Sequence, residues 1–210
     1  MTRMTSVALG VAMALMLLTD ARHPVRAADE PDCTQFKIDD KKSDPLKAVS
    51  FPQDCKARTS NGFILPDPNC TPGAVNPSLT VAVLRNPQFR TSCVRSHATT
   101  EQEKNKTYAY YGIPHPAQNT GVTQICELDH LILLELGGAD TLENIWPQCG
   151  PSNTVLVHRY FKEKDTVENY LAKQVRDGMM SLDKVQHGIA SDWTQYLADA
   201  KKACPMGNCR

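Results

Sequence analysis

Hydrophobic residues recur at helical spacing in the last third of the chain. One set falls on a single side of a helix predicted from about Val155 to Arg176 and comprises Leu156, Tyr160, Val167, Leu171 and Val175. Polar residues fall on the other side, at positions 158, 162, 165 and 169. After Asp177-Gly178, Ser181 caps a second predicted helix that runs to about Ala200. Its apolar positions are Leu182, Val185, Ile189, Trp193 and Leu197.

Shorter patterns occupy the middle of the chain. Residues 99–111 predict a helix in which Glu103 is the capping-box partner of Thr100. The apolar run at residues 125–134 predicts a strand, and a second strand begins at residues 144–146, with Trp146-Pro147 as its stop.

The region before these elements is less regular. Residues 79–84 are bounded by prolines and fit either a short helix or a strand. Residues 61–77 are rich in proline and glycine and predict a loop. Residues 29–60 mix charged residues and prolines with few large apolar side chains, which indicates an extended arm. We therefore expect an α+β fold with a disulfide-stapled, irregular N-terminal region.

The first 27 residues have the order of parts of a signal peptide. Arg3 supplies a positive charge, residues 6–18 form an apolar run too short for a stable membrane anchor, and Val25-Arg26-Ala27 precedes a cleavage point before Ala28. A retained N-terminal anchor is the alternative. The pattern predicts an exported protein, either periplasmic or secreted.

All eight cysteines lie after this segment, as expected for disulfides in an exported chain. Eight cysteines allow 105 pairings, so the sequence alone leaves connectivity open. Proximity along the chain favours Cys33–Cys55, Cys70–Cys93, Cys126–Cys149 and Cys204–Cys209. The third pair would join the two predicted strands.

The charge is nearly balanced. Residues 1–27 contain three arginines and one aspartate, so the remainder holds 20 basic and 22 acidic residues, a net charge of −2 with histidine neutral. This balance argues against a protein that coats nucleic acid electrostatically. One stretch poor in acids is either a local basic patch or an ordinary solvated surface, and it contains Arg85, Arg90, Arg95, Lys104 and Lys106.

A compact motif carries the candidate chemistry. Asp129-His130 ends a short apolar run, Gly137-Gly138 forms a turn, and Asn144 follows. Hydrolysis of a phosphodiester bond requires a water to lose a proton near neutral pH, which suits histidine. A divalent cation would offset the negative charge of the phosphate.

The motif resembles a bacterial family of HNH-like, or ββα-metal, nuclease-related exported proteins. The resemblance rests on ELDHLILLELGGADTLENIWPQ, KDTVEN and SLDKVQHGIASDW, and it covers residues 68–197. It implies a ββα-metal core within an HNH-like domain at residues 68–200. An irregular extension at residues 28–67 precedes this domain, and a tail at 201–210 with Cys204 and Cys209 follows it. Leu133 departs from the family pattern, which has proline there.

The resemblance also implies roles. His130 would be the general base, Asp129 a metal ligand, and Asn144 would hold His130 through its ring or the nearby backbone. Strand side chains alternate, so a bulge or a strand end must turn Asp129 and His130 to one site. One of His158, Asp165 and Glu168 would complete the metal site, and Lys164 would bind phosphate.

We expect from these roles an endonuclease that depends on a divalent metal and acts on nucleic acid, with DNA favoured over RNA. Oxygen ligands suit Mg²⁺ or Mn²⁺, whereas ligation by His158 would favour Zn²⁺ or Ni²⁺. The alternative is a non-catalytic exported domain that uses the same scaffold for structure or partner binding.

Overall fold

A computed structural model describes residues 32–95, 99–205 and 209, in which short strands and helices alternate along the chain. The predicted signal segment, residues 1–27, lies outside the described residues. The strands are β1 (Asp44–Pro45), β2 (Arg58–Ser60), β3 (Phe63–Leu65), β4 (Ala74–Val75), β5 (Cys126–His130) and β6 (Ile145–Cys149). The helices are α1 (Val81–Leu84), α2 (Glu101–Tyr110), α3 (Tyr160–Arg176), α4 (Leu182–Asp192) and α5 (Leu197–Ala203).

Short 3₁₀ turns connect these elements. They comprise Cys33–Phe36, Thr91–Cys93, Gly121–Thr123, Leu134–Leu136, Leu142–Asn144, Leu156–His158 and Trp193–Tyr196. The strands pair as three antiparallel two-stranded sheets, β1 with β4, β2 with β3 and β5 with β6. The fold is therefore of the predicted α+β class.

The β5–β6 hairpin supports the motif. Its register is regular, from Cys126 opposite Cys149 to His130 opposite Ile145. The first strand ends at His130, four residues earlier than predicted, because residues 131–134 turn into the core. The predicted stop at Trp146-Pro147 is wrong, since β6 continues through Pro147 to Cys149. Proline is tolerated there because a two-stranded sheet leaves one edge of each strand without a partner.

The helix after the hairpin begins at Tyr160, and the predicted start near Val155 is wrong. Arg159 has extended backbone angles and donates through its guanidinium to the carbonyl oxygens of Val122 and Thr154. This residue separates the 3₁₀ turn at Leu156–His158 from α3. The next predicted helix is divided at Asp192, whose side chain accepts a hydrogen bond from the Thr194 amide.

The core confirms the helical pattern. Val167, Leu171 and Val175 of α3 are buried against Val185 and Ile189 of α4. The apolar residues after β5, including Ile132, Leu133 and Leu136, enter the same cluster. The loop that leaves the Asp-His motif is thus held by hydrophobic burial. The capping box of α2 is also confirmed, with Thr100 and Glu103 bonded reciprocally.

Four disulfides staple the described chain, as Cys33–Cys93, Cys55–Cys70, Cys126–Cys149 and Cys204–Cys209. The last two confirm the prediction, and the first two exchange the partners that chain proximity favoured. Cys33 is brought to Cys93 across 60 residues, where Phe36 also packs edge-on against Phe89. This cysteine usage fits an extracellular or otherwise oxidising compartment.

Within the described ranges, no helix combines the length and the apolar character needed to cross a membrane.

Candidate functional site

A cavity of about 230 Å³ opens beside the end of β5. It is bounded by β5, by the loop that follows it and by α3. Its charged lining is mostly acidic and comprises Arg95, Glu127, Asp129, Glu135, Asp165 and Glu168, with His130 beside them. Asp129 and His130 reach the same cavity because His130 is the last residue of the strand, so the predicted strand end turns them together and no bulge is needed.

His130 is oriented by a carboxylate that sequence reasoning missed. Its Nε2 lies 2.8 Å from Oδ1 of Asp140, whose side chain is fully buried. Among the described residues, no hydrogen bond engages the other ring nitrogen, Nδ1. A histidine held through one nitrogen presents the second in a fixed direction, which is the arrangement of a general base.

Asp140 is shared between His130 and Lys104. The Lys104 ammonium lies 3.0 Å from the same carboxylate oxygen, and its side chain is only 8% exposed. Burial by itself would raise the pKa of Asp140, but hydrogen bonds from His130 and Lys104 lower it to about 2. Lys104 therefore does not belong to the basic surface patch considered above. It is a buried cation that keeps Asp140 ionised.

Asn144 holds the Asp-His motif in place by hydrogen bonds from its side chain to the neighbouring backbone. Its side-chain amide donates to the carbonyl oxygens of Ile132 and Ala139, at 2.8 and 2.9 Å, and its oxygen accepts from the Ile132 amide at 2.9 Å. These bonds fix the backbone on both sides of the Gly-Gly turn, next to His130 and Asp140. The sequence left two contacts open for Asn144. The contact with the His130 ring is wrong, and the side chain instead binds nearby backbone.

Gly138 is required by the same close packing. A Cβ atom built there would lie 1.8 Å from the Ile132 carbonyl oxygen and 2.9 Å from the Asn144 amide nitrogen. The turn can approach the loop after β5 this closely only without a side chain.

Asp129 faces Lys164 of α3. The Lys164 ammonium lies 2.8 Å from Asp129 Oδ2, as an ion pair that lacks hydrogen-bond alignment. It also donates to the His130 carbonyl oxygen at 2.8 Å and to the Glu168 carboxylate. Lys164 is completely buried. It is absent from the lining of the cavity, so in this arrangement it does not reach a phosphate there.

Burial sets the ionisation of this cluster. It raises the pKa values of Asp129 and Glu168, an effect that the Lys164 ammonium opposes. Burial would lower the pKa of Lys164, but the carboxylates of Asp129 and Glu168 outweigh it and the pKa is raised. Burial, together with the charges of Asp129 and Asp165, raises the pKa of Glu127. Asp129, Glu168 and Glu127 therefore take up protons more readily than ordinary carboxyl groups do.

The three candidate ligands on or before α3 are not brought together. Asp165 and Glu168 line the cavity, and Asp165 pairs with Lys162 at 2.7 Å. His158 ends the preceding 3₁₀ turn, is 65% exposed in its side chain and pairs with Glu163 at 3.5 Å. It lines a second cavity of about 700 Å³, together with Lys201 and Cys204, and Asp165 lines both cavities.

As arranged, these residues do not fit a divalent ion. In the portion of the chain with described coordinates, no group of three or more His, Cys, Asp or Glu side chains is placed to hold one. The carboxylates of Asp129 and Glu168 already share the Lys164 ammonium.

No family model, curated protein or solved structure matches the chain.

Proposed function

We propose that this chain hydrolyses phosphodiester bonds, with DNA favoured over RNA as the substrate. The observation that carries the proposal is the His130–Asp140 pair at the cavity wall, with Nδ1 of His130 free of described partners. The order of hairpin and helix, β5–β6 followed by α3, is compatible with a ββα core of the HNH type.

In the proposed reaction, His130 Nδ1 accepts a proton from a water molecule. The water oxygen forms a bond to phosphorus, and the bond from phosphorus to the leaving oxygen breaks. Asp140 holds the ring and stabilises the imidazolium that forms, and the proton then passes to the leaving oxygen or to solvent. General acid–base catalysis of this kind contributes about 10²–10⁴-fold to a rate.

Charge at the cavity limits how the substrate enters. Five carboxylates and one arginine surround the cavity, so a phosphate meets a negative field there. A divalent metal that offset this field would favour binding of the phosphate. Dependence on such a metal stays a prediction, and the activity assay includes a chelator arm to measure it.

The test is cleavage of supercoiled plasmid by oxidised protein, with and without chelator. We expect His130→Ala to lower the rate by about 10²–10⁴-fold while the fold is retained. His187→Ala is the matched control, because His187 is an exposed histidine that also pairs with an aspartate, Asp183. Equal cleavage by the folded His130 variant and the wild type would remove the proposed base.

A second function is favoured by one observation. Lys164 pairs with Asp129 and Glu168, the carboxylates considered as metal ligands. Such an internal ion cluster would stabilise a non-catalytic domain. This alternative predicts no plasmid cleavage by the wild type under any metal condition.

We also propose export, with a mature chain that begins near Ala28. The four disulfides support an oxidising destination. Intact mass of protein recovered from outside the cytoplasm tests this, and a mass that retains residues 1–27 would contradict it.

A further inference from the structure

The Lys164 ammonium is completely enclosed by protein. Lysine is almost never fully buried unless it is paired, and an ammonium has three N–H donors. Lys164 Nζ donates to the carboxylate of Glu168 and to the carbonyl oxygen of His130, and it forms an ion pair with Asp129. Its positive charge is therefore balanced by residues of the site itself.

The Lys164 ammonium lies between the first strand of the hairpin and the helix that follows it. Asp129 lies on β5 and Glu168 lies one helical turn after Lys164 on α3, so the ammonium joins strand to helix. A metal ion bridging these two carboxylates would occupy the same space. The metal ion would have to displace the Lys164 ammonium, and the two cations would then lie close together in a buried place. Coulomb repulsion at short distance disfavours that arrangement.

We infer that Lys164 is a resident cation that takes the place of a divalent metal between Asp129 and Glu168. While it is there, these carboxylates form no tight divalent site. Removing the ammonium leaves two adjacent carboxylates, whose side chains are only 9% and 13% exposed, and such a charge arrangement attracts Mg²⁺ or Mn²⁺. This inference concerns the same cavity as the proposed hydrolysis. It is tested by metal binding and the hydrolysis by plasmid cleavage, so either proposal can fail without the other.

The experiment measures Mn²⁺ binding by electron paramagnetic resonance at neutral pH, with no nucleic acid present. We expect Lys164→Met to bind one Mn²⁺ at least about tenfold more tightly than the wild type. Lys173→Met is the matched control, because it removes a lysine from the same helix that pairs with Asp177, away from the cavity. We expect it to bind like the wild type.

A second variant separates charge from folding. Lys164→Met combined with Glu168→Gln removes one carboxylate along with the ammonium, and we expect its added Mn²⁺ affinity to be lost. If Lys164→Met folds only when Mn²⁺ is added, as followed by near-ultraviolet circular dichroism, the inference is supported.

The wild type decides the remaining cases. Micromolar binding of Mn²⁺ by the wild type that Asp129→Asn abolishes would overturn the inference, whatever the state of the Lys164 variants. It would equally fail if folded Lys164→Met binds no more tightly than Lys173→Met. If Lys164→Met stays unfolded even with Mn²⁺, absence of any Asp129-dependent Mn²⁺ site in the wild type supports the resident cation.

Discussion

Replacing Asp140 by asparagine tests the link between His130 and the buried part of the site. The substitution keeps the size of the side chain but removes the negative charge that lies within 3.0 Å of both Lys104 and His130. Among the residues with described positions, Lys104 then keeps one acidic partner, Glu101, which is exposed and lies 3.4 Å away. We expect a loss of stability at pH 7 and a His130 ring that is held less firmly.

The magnitude follows from the pKa of Asp140. It is lowered from 3.8 to about 2 in the folded protein. Each pKa unit corresponds to about 1.4 kcal/mol, so ionised Asp140 stabilises the fold by about 2–3 kcal/mol. For a domain of this size, that loss lowers the melting temperature by about 5–10 °C.

The pH dependence has a defined sign. A carboxyl group with a lowered folded pKa contributes its stability above the unfolded pKa and loses it as the pH falls through the folded pKa. The difference between the wild type and Asp140→Asn should be complete above about pH 5 and should decrease between pH 4 and pH 2.

Urea denaturation at pH 7, 4 and 2 measures this difference. Asp183→Asn is the control, because Asp183 forms an exposed pair with His187 and should contribute little. If Asp140→Asn costs no more than Asp183→Asn at pH 7, or if its cost is unchanged at pH 2, the reasoning about the buried network is refuted. In the plasmid assay, the Asp140 variant should also be slower than Asp183→Asn.

Three further changes test the support of the site. Replacing both Cys126 and Cys149 by alanine should cost about 3 kcal/mol in urea denaturation, from the 23-residue separation that the disulfide closes; an unchanged midpoint would contradict this. Gly138→Ala should cost about 3 kcal/mol or more because its Cβ would lie 1.8 Å from a backbone oxygen. Gly112→Ala, which meets nothing within 4 Å, should cost only about 1–2 kcal/mol for its positive φ, and equal losses would count against the packing argument. Asn144→Ala should cost about 3 kcal/mol or more, since three buried backbone groups lose their partner; a thermal melt like that of the wild type would refute that role.

Local patterns in the sequence were sufficient where each feature depends on near neighbours. The capping box of α2 needs only Thr100 and Glu103, three residues apart. The apolar stripe of α3 follows from helical periodicity, and Cys126–Cys149 follows from two strands joined by one turn. The same logic placed Asp129 and His130 on the first strand, although it continued that strand to Leu134, and it gave nearby backbone as one of two contacts for Asn144.

Tertiary structure decided which residues distant in the sequence contact one another. The pairing of Cys33 with Cys93 spans 60 residues, and no local pattern specifies it. The start of α3 depends on Arg159, which is held by carbonyl oxygens of two separate loops. His158 ends the 3₁₀ turn just before Arg159 and lines the larger cavity of about 700 Å³.

The candidate site shows the same division. Asp140 comes directly after Gly137-Gly138-Ala139, which is a signal that could have suggested it, but only the folded turn shows that its carboxylate meets His130. Lys164 reads in sequence as a helical lysine free to bind phosphate, yet packing of α3 against β5 buries its ammonium. Residue types and local spacing thus determined which chemical groups the site contains. Which of them neutralise one another was decided by burial, because a buried charge is stable only beside partners that the fold brings together.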